Sequence, residues 1–166
     1  MITLYNTTLC YLEKNDSYLM LHRIKKKKDI NKDKWIGIGG KFEACESPFD
    51  CIKREVKEET GFTLNSAEYR GIVTFVSKTS DGKEPYYELM HLFWSNDFTA
   101  PEDDFSKLPE CEEGELAWIP KNKIIELPHW ESDELFLELI EKRIPFFSMK
   151  VEYFDGNMKS AVLEGK

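Results

Sequence analysis

Residues 40–62, GKFEACESPFDCIKREVKEETGF, constrain the chain more than any other stretch. Ser47 is suited to a helix N-cap, Pro48 to the first helical position, and Asp50 can close a capping box. Gly61 suits the left-handed residue that ends a helix. The spacing predicts a helix from about Pro48 to Thr60. At about 100° per residue, Glu55, Glu58 and Glu59 share roughly a third of its circumference. Phe49, Ile52 and Val56 form an apolar stripe beside them. One face can therefore dock on a core while its neighbour carries carboxylates. Like charges at i,i+3 and i,i+4 cost about 0.2–0.5 kcal/mol per pair on an exposed helix. A hard divalent cation removes that cost, and Mg²⁺ in particular takes oxygen ligands while meeting phosphate oxygens. Three glutamates alone are more often a solvated acidic face, so the surrounding residues have to decide.

The bulk properties narrow the classes. At 166 residues the chain is expected to be a single domain, 1–166. Its formal net charge of −8 argues against general binding to duplex nucleic acid, which calls for a basic face. A polyanionic small molecule stays possible, because a metal and a few local cations can invert the local field. Cys10, Cys45, Cys51 and Cys111 show neither a CxxC pair nor zinc-ligand spacing. They read as reduced thiols of a cytoplasmic protein. The first residues lack a signal-peptide pattern, and no stretch has the ~20 apolar residues of a membrane span.

Along the chain, residues 2–12 and 18–24 read as a hairpin closed by a polar turn at 13–17. Lys25 to Lys28 are four consecutive lysines in a polar loop that runs to Lys34. This is either a solvated loop or a mobile basic lid that steers a triphosphate inward. WIGIGGK follows at 35–41, its glycines permitting close backbone approach. Residues 62–68 read as a connector, and 69–79 and 86–96 as antiparallel strands about a turn at 80–83. Residues 97–112 form an acidic loop, 114–119 a short strand, and 120–126 a brief helical stretch. Ser132 caps a second helix to about Arg143, with Leu135, Phe136, Leu139 and Ile140 on its buried side. Residues 145–154 and 158–163 form a last hairpin. The pattern predicts a mixed sheet with a helix on each side, an α/β or α+β sandwich.

Gly40, five residues, Glu46, seven residues, then REVKEETGF at 54–62 resembles the signature of the Nudix hydrolase family at every defined position. The resemblance implies the Nudix α/β/α sandwich with a mixed β-sheet between helices. It also implies a pyrophosphohydrolase whose metal ligands are Glu55, Glu58 and Glu59, with Mg²⁺ as cofactor and Mn²⁺ able to substitute. Phosphate chemistry needs such carboxylates, because divalent metals neutralise phosphate oxygens and acidify a water. By resemblance Glu55 is also the general base, and Glu46 stands beside the metal site. Arg54 either forks onto a box carboxylate and orients it or forms an ordinary helix-surface ion pair. Gly39 and Gly40 bring backbone close to metal or phosphate, or serve only a turn; the Gly39 carbonyl is a candidate ligand. Lys41 and Arg23 are candidates for substrate contact. An acid outside the box often completes the set. Among Glu112, Glu113 and Glu115 the register favours Glu113, with a solvated turn as the alternative.

A narrower resemblance joins WIGIGGK, EEGELAWIP, LPHWESDELF and PFFSMKVEY to bacterial MutT-type 8-oxo-dGTP diphosphatases. It implies that Trp130 stacks on a purine, worth roughly 1–3 kcal/mol, and that Asp133 reads its edge. The alternatives are a core anchor for Trp130 and, for Asp133, a first-turn carboxylate favoured by the helix dipole. His129 is expected near that pocket, and His22 and His91 are expected in strands. One position departs: the mammalian relative has a base-contacting asparagine after the tryptophan of its WxGxGGK stretch, where this chain has Ile36. The reading is a hydrolase of nucleoside triphosphates, with oxidised dGTP and nucleotide-pool sanitation as its sharpest form. The alternatives are another nucleoside diphosphate derivative as substrate, or a non-catalytic nucleotide-binding module.

Overall fold

A computed structural model describes residues 3–165. Eight strands form a mixed sheet: β1 (Leu4–Lys14), β2 (Ser17–His22), β3 (Trp35–Ile36), β4 (Thr63–Lys78), β5 (Tyr86–Thr99), β6 (Glu115–Pro120), β7 (Phe147–Phe154) and β8 (Asn157–Glu164). Their order is β3-β2-β1-β5-β4-β7-β8, with β6 paired to β2. The β1–β5 and β4–β7 pairs are parallel and the others antiparallel. Two α-helices, α1 (Pro48–Thr60) and α2 (Glu131–Glu141), complete the α+β sandwich. Among the described residues no helix is long and apolar enough to cross a membrane.

The two helices lie on opposite faces, and β1 shows why. Residues 7–12 are all buried, because both faces of this strand are covered. Leu9 and Tyr11 join the cluster that holds Phe136 and Ile140 of α2. Cys10 and Leu12 join the cluster that holds Ile52 and Val56 of α1. Burying each of those aliphatic side chains is worth about 1.5–3 kcal/mol.

Helix α1 matches its predicted bounds. The Asp50 amide donates to Ser47 Oγ at 3.1 Å and the Ser47 amide donates to Asp50 Oδ2 at 3.0 Å, closing the capping box. Gly61 ends it at φ +73°. Phe49 is the exception to the expected stripe. It stays 36% exposed and meets Phe93 edge-on, while Cys51 takes the buried place.

Three expectations are corrected. Residues 62–68 are not a connector: β4 begins at Thr63 and pairs with the far end of β5. Register shifts between Leu64 and Gly71 break the period-2 pattern that would have announced the strand. Ser132 does not cap α2. The helix starts two residues earlier than a Ser132 cap would place it, with Trp130 as an N-cap that makes no side-chain cap bond. Ser132 is buried and accepts from the Tyr153 hydroxyl at 2.9 Å, while its amide donates to that same oxygen at 3.0 Å. Its polar groups tie the helix to β7 instead. The helix also ends at Glu141, short of Arg143.

β1 and β2 pair only beside their turn, at Glu13–Tyr18 and Lys14–Ser17. Further along they part, and the chain at 37–41 docks against β1 in that gap. Cys10 and Ile38 exchange backbone hydrogen bonds of 2.7 and 3.0 Å, and the Thr8 amide donates to Gly40 O at 2.8 Å. A Cβ on Gly39 would stand 1.9 Å from Thr8 O. Gly39→Ala is therefore expected to destabilise the fold more than Gly61→Ala. The latter meets open space and carries only a left-handed backbone penalty of roughly 1–2 kcal/mol. Thermal unfolding of the two variants should separate them by several degrees, at about 2–4 °C per kcal/mol for a chain of this length.

Candidate active site

The docked loop brings α1 to the cleft. Ile38 and Gly40 turn their backbone groups toward β1, so those of Gly39 face the other way. There the Gly39 amide donates to Glu59 Oε2 at 3.3 Å. Beside it, a Cβ on Gly40 would fall 2.4 Å from Glu55 Oε1. Glycine at 40 leaves the space that the Glu55 carboxylate fills.

Arg54 organises the acids around it. Its Nε and Nη2 fork onto both oxygens of Glu46 at 2.6 and 2.9 Å. Nη1 reaches Glu55 at 2.8 Å and Glu58 at 3.1 Å, and Nη2 also donates to Lys41 O at 3.0 Å. These partners hold the guanidinium pKa above its usual value, with Glu46 as the largest cause. The same fork lowers the Glu46 carboxyl to about 2. Arg54 thus bonds three box carboxylates at once, which sets it apart from an isolated surface pair.

Glu59 differs from Glu46. It is only 7% exposed, and burial, then the charges of Glu55 and Glu113, push its carboxyl up to about 8. Burial likewise raises Glu55 against the pull of Arg54. Glu113 stands at the same centre, its oxygens taken by Arg23 and Lys26. Glu112 and Glu115 are exposed.

A cleft of about 740 Å³ opens from this cluster. Gly39, Gly40, Lys41, Arg54, Glu55, Glu58 and Glu113 border one part, while Trp130, Asp133 and Tyr153 border another. Glu46 and Glu59 sit behind Arg54 and Gly39. The basic loop forms a further wall through Lys26, Lys28, Asp29 and Asn31. It is pinned to both parts: Arg23 Nε donates to Asp29 Oδ2 at 2.6 Å, and Trp130 Nε1 donates to Asn31 Oδ1 at 2.8 Å.

The Trp130 indole is already engaged, with Lys34 Nζ 4.6 Å from its ring centroid and the Tyr153 ring at 74° to it. Asp133 is buried, and desolvation raises its carboxyl to about 7 against the opposing charge of His129. His129 does not line the cleft as expected. It hydrogen-bonds Leu127 O and Glu134 instead, because its place before α2 turns it to the helix's acidic first turn. His22 and His91 do lie in strands, β2 and β5.

Sequence reasoning missed Thr7, Phe75, Tyr86 and Glu88 on the cleft floor. A lone acid in the otherwise apolar face of β5 was the available signal. It missed Asn31 as well, which no local pattern marks.

The model of the NUDIX domain matches residues 4–140. The chain belongs to the Nudix hydrolase family. A Nudix hydrolase of Bacillus subtilis (strain 168), YvcI, itself described as uncharacterized, is 30% identical over 142 residues, spanning 86% of this chain and 82% of the relative. A mutator MutT protein of Bacillus halodurans superposes with a TM-score of 0.81 at 26% identity, covering 98% of this chain and 99% of that one. A MutT protein of Methanosarcina mazei Go1 shares the fold, with a TM-score of 0.67 at 20% identity over 86% of this chain and 97% of that one.

Nudix hydrolases generally need a divalent metal, and the residues here fit one. Glu59 is a buried carboxylate whose hydrogen bond, from an amide, is long, and it faces two further acids. The donors are hard oxygens, as Mg²⁺ prefers. Among the described residues no three acidic, imidazole or thiol groups are yet drawn onto one point. Arg54, Arg23 and Lys26 hold Glu55, Glu58 and Glu113 meanwhile.

The Asp133 shift has a thermodynamic consequence. Its folded pKa lies above the ordinary aspartate value of 3.8, so its contribution to stability is full below that value and is lost as pH rises through about 7. The loss amounts to at most about 4 kcal/mol, at about 1.36 kcal/mol per unit. Asp133→Asn should therefore gain Tm relative to the parent as pH is raised from 4 to 8. Parallel Tm–pH curves for the two proteins would contradict this assignment.

Proposed function

We propose that this Nudix hydrolase is a Mg²⁺-dependent pyrophosphohydrolase of nucleoside triphosphates, yielding a monophosphate and pyrophosphate. The observation that carries the reading is one continuous cleft with an acidic cluster in one part and an aromatic, carboxylate-bearing pocket in the other. That layout matches a molecule with a polyphosphate joined to a flat ring. Its sharpest form takes 8-oxo-dGTP as substrate and nucleotide-pool sanitation, a DNA-repair role, as the purpose.

In this reading Glu55, Glu58, Glu59, Glu113 and the Gly39 carbonyl hold the metal, with Mn²⁺ able to replace Mg²⁺. The metal supplies charge neutralisation at the phosphates and acidifies a water. Glu55 takes the proton of the attacking water. Arg54 aligns Glu55 and Glu58 and holds Glu46 ionised behind them. Arg23, Lys41 and the loop lysines meet the polyphosphate, and the Gly40 backbone lies close to it. The purine stacks on Trp130 in exchange for Lys34, and Asp133 reads its edge. The alternative is another nucleoside diphosphate derivative, such as a nucleotide sugar or dinucleotide. It would use the same acids with a different occupant of the ring pocket, and Ile36 on the cleft wall allows for such a difference.

A panel of triphosphates and nucleotide sugars with Mg²⁺ tests this. Pyrophosphate release is expected from triphosphates, with kcat/KM for 8-oxo-dGTP above that for dGTP. Glu55→Gln is expected to lower kcat by about 10²-fold or more. Trp130→Ala should raise KM by roughly 5- to 150-fold, the equivalent of one stacked base. Turnover confined to nucleotide sugars would select the alternative, and Glu55→Gln at parental rates would remove the catalytic assignment.

A further inference from the structure

Glu88 is a cleft carboxylate that the metal chemistry leaves unused. On β5, Met90, Leu92 and Trp94 alternate into the core beneath α2, and Glu88 continues that row onto the floor of the cleft. Its partners across the sheet are Tyr5 on β1 and Phe75 on β4. It therefore stands between the β1 side, where Gly40 and Glu55 lie, and the β4–β7 side, where Tyr153, Asp133 and Trp130 lie. Phe75 and Met90 flank it with apolar surface.

Thr7 Oγ1 donates to Glu88 Oε1 at 2.5 Å, and Tyr86 borders the cleft beside it. Burial raises the Glu88 carboxyl pKa against the neighbouring hydroxyls and the charge of Lys41. Lys41 does not pair with it directly: the ammonium lies over the Tyr5 ring, 4.2 Å from its centroid. A carboxylate offers about four lone-pair positions and no donor when ionised. The Thr7 hydroxyl fills only part of that capacity.

A carboxylate in this position repels a polyphosphate, whose cationic partners Arg23, Lys26 and Lys28 line a different wall. It suits a ligand that presents only donors. Guanine-type bases place a ring N–H beside an exocyclic NH₂, whereas the equivalent edge of adenine or cytosine alternates donor and acceptor. We propose that Glu88 is a specificity-determining residue that accepts hydrogen bonds from the N–H groups of a guanine-type base. The proposal rests on the nucleotide reading above and adds a base contact from the cleft floor to that of Asp133.

Calorimetric titration of GMP, dGMP and IMP in Mg²⁺ onto the parent, Glu88→Gln and Glu88→Leu tests it. IMP keeps the ring N–H and lacks the amino group. The parent should favour GMP over IMP by about tenfold or more, since a site built for a donor rejects the analogue without it. Glu88→Leu should weaken GMP about 10- to 100-fold and bring the GMP/IMP ratio near one. The near-isosteric Glu88→Gln, which keeps the fold, should retain only part of the preference. An unchanged ratio in both variants, or none in the parent, overturns the assignment to Glu88. A change confined to GMP against dGMP would show a sugar hydroxyl as the ligand and overturn the base assignment. No binding of any nucleotide to the parent would sink the nucleotide reading itself.

Discussion

The close docking of the glycine loop on β1 is the contact from which the rest of the site follows. β1 and β2 separate beyond their turn, and β1 would be left with unpaired amides and carbonyls facing the gap. Residues 38–40 satisfy them by running antiparallel alongside. The approach is so close that Gly39 has no space for a Cβ. It leaves the backbone of Gly39 facing Glu59 and the Glu55 carboxylate packed over Gly40. A pairing that satisfies backbone hydrogen bonds thus also brings the acidic helix face to the cleft.

Charge balance is the second constraint. Several carboxylates gather around a few cations, and each acid is tuned by its place in that arrangement. Glu46, forked by Arg54, is held strongly ionised, while Glu59, buried and beside other acids, favours its proton. Arg54 with Arg23 and Lys26 supplies positive charge from two directions, helix and basic loop. The loop is therefore more than a solvated lysine run. Its Arg23–Asp29 and Asn31–Trp130 bonds tie the acid Glu113 and the ring pocket to one segment, so movement there would be felt by both.

Much of this was legible in the chain because it is local. Ser47, Pro48, Asp50 and Gly61 bound α1 through contacts within a few residues, and the 3.6-residue period placed its glutamates together. The β4–β5 and β7–β8 hairpins and the presence of the second helix, though not its ends, followed from alternation and amphipathicity. The start of β4 was not legible, because successive bulges scramble the period that marks a strand. Ser132 was misread for a related reason: a serine before an apolar run signals a cap unless a distant tyrosine claims its hydroxyl, as Tyr153 does.

By itself the sequence determined the acidic helix, its caps and the family, since those depend on residues within about twenty positions of each other. Only the tertiary structure decided which acids are buried, that Glu113 belongs beside the box, and that Trp130, Asp133 and Glu88 share one cleft with it. Those facts depend on strand order and on the parting of β1 from β2. They bring together residues far apart in the chain, and no local spacing encodes such distances.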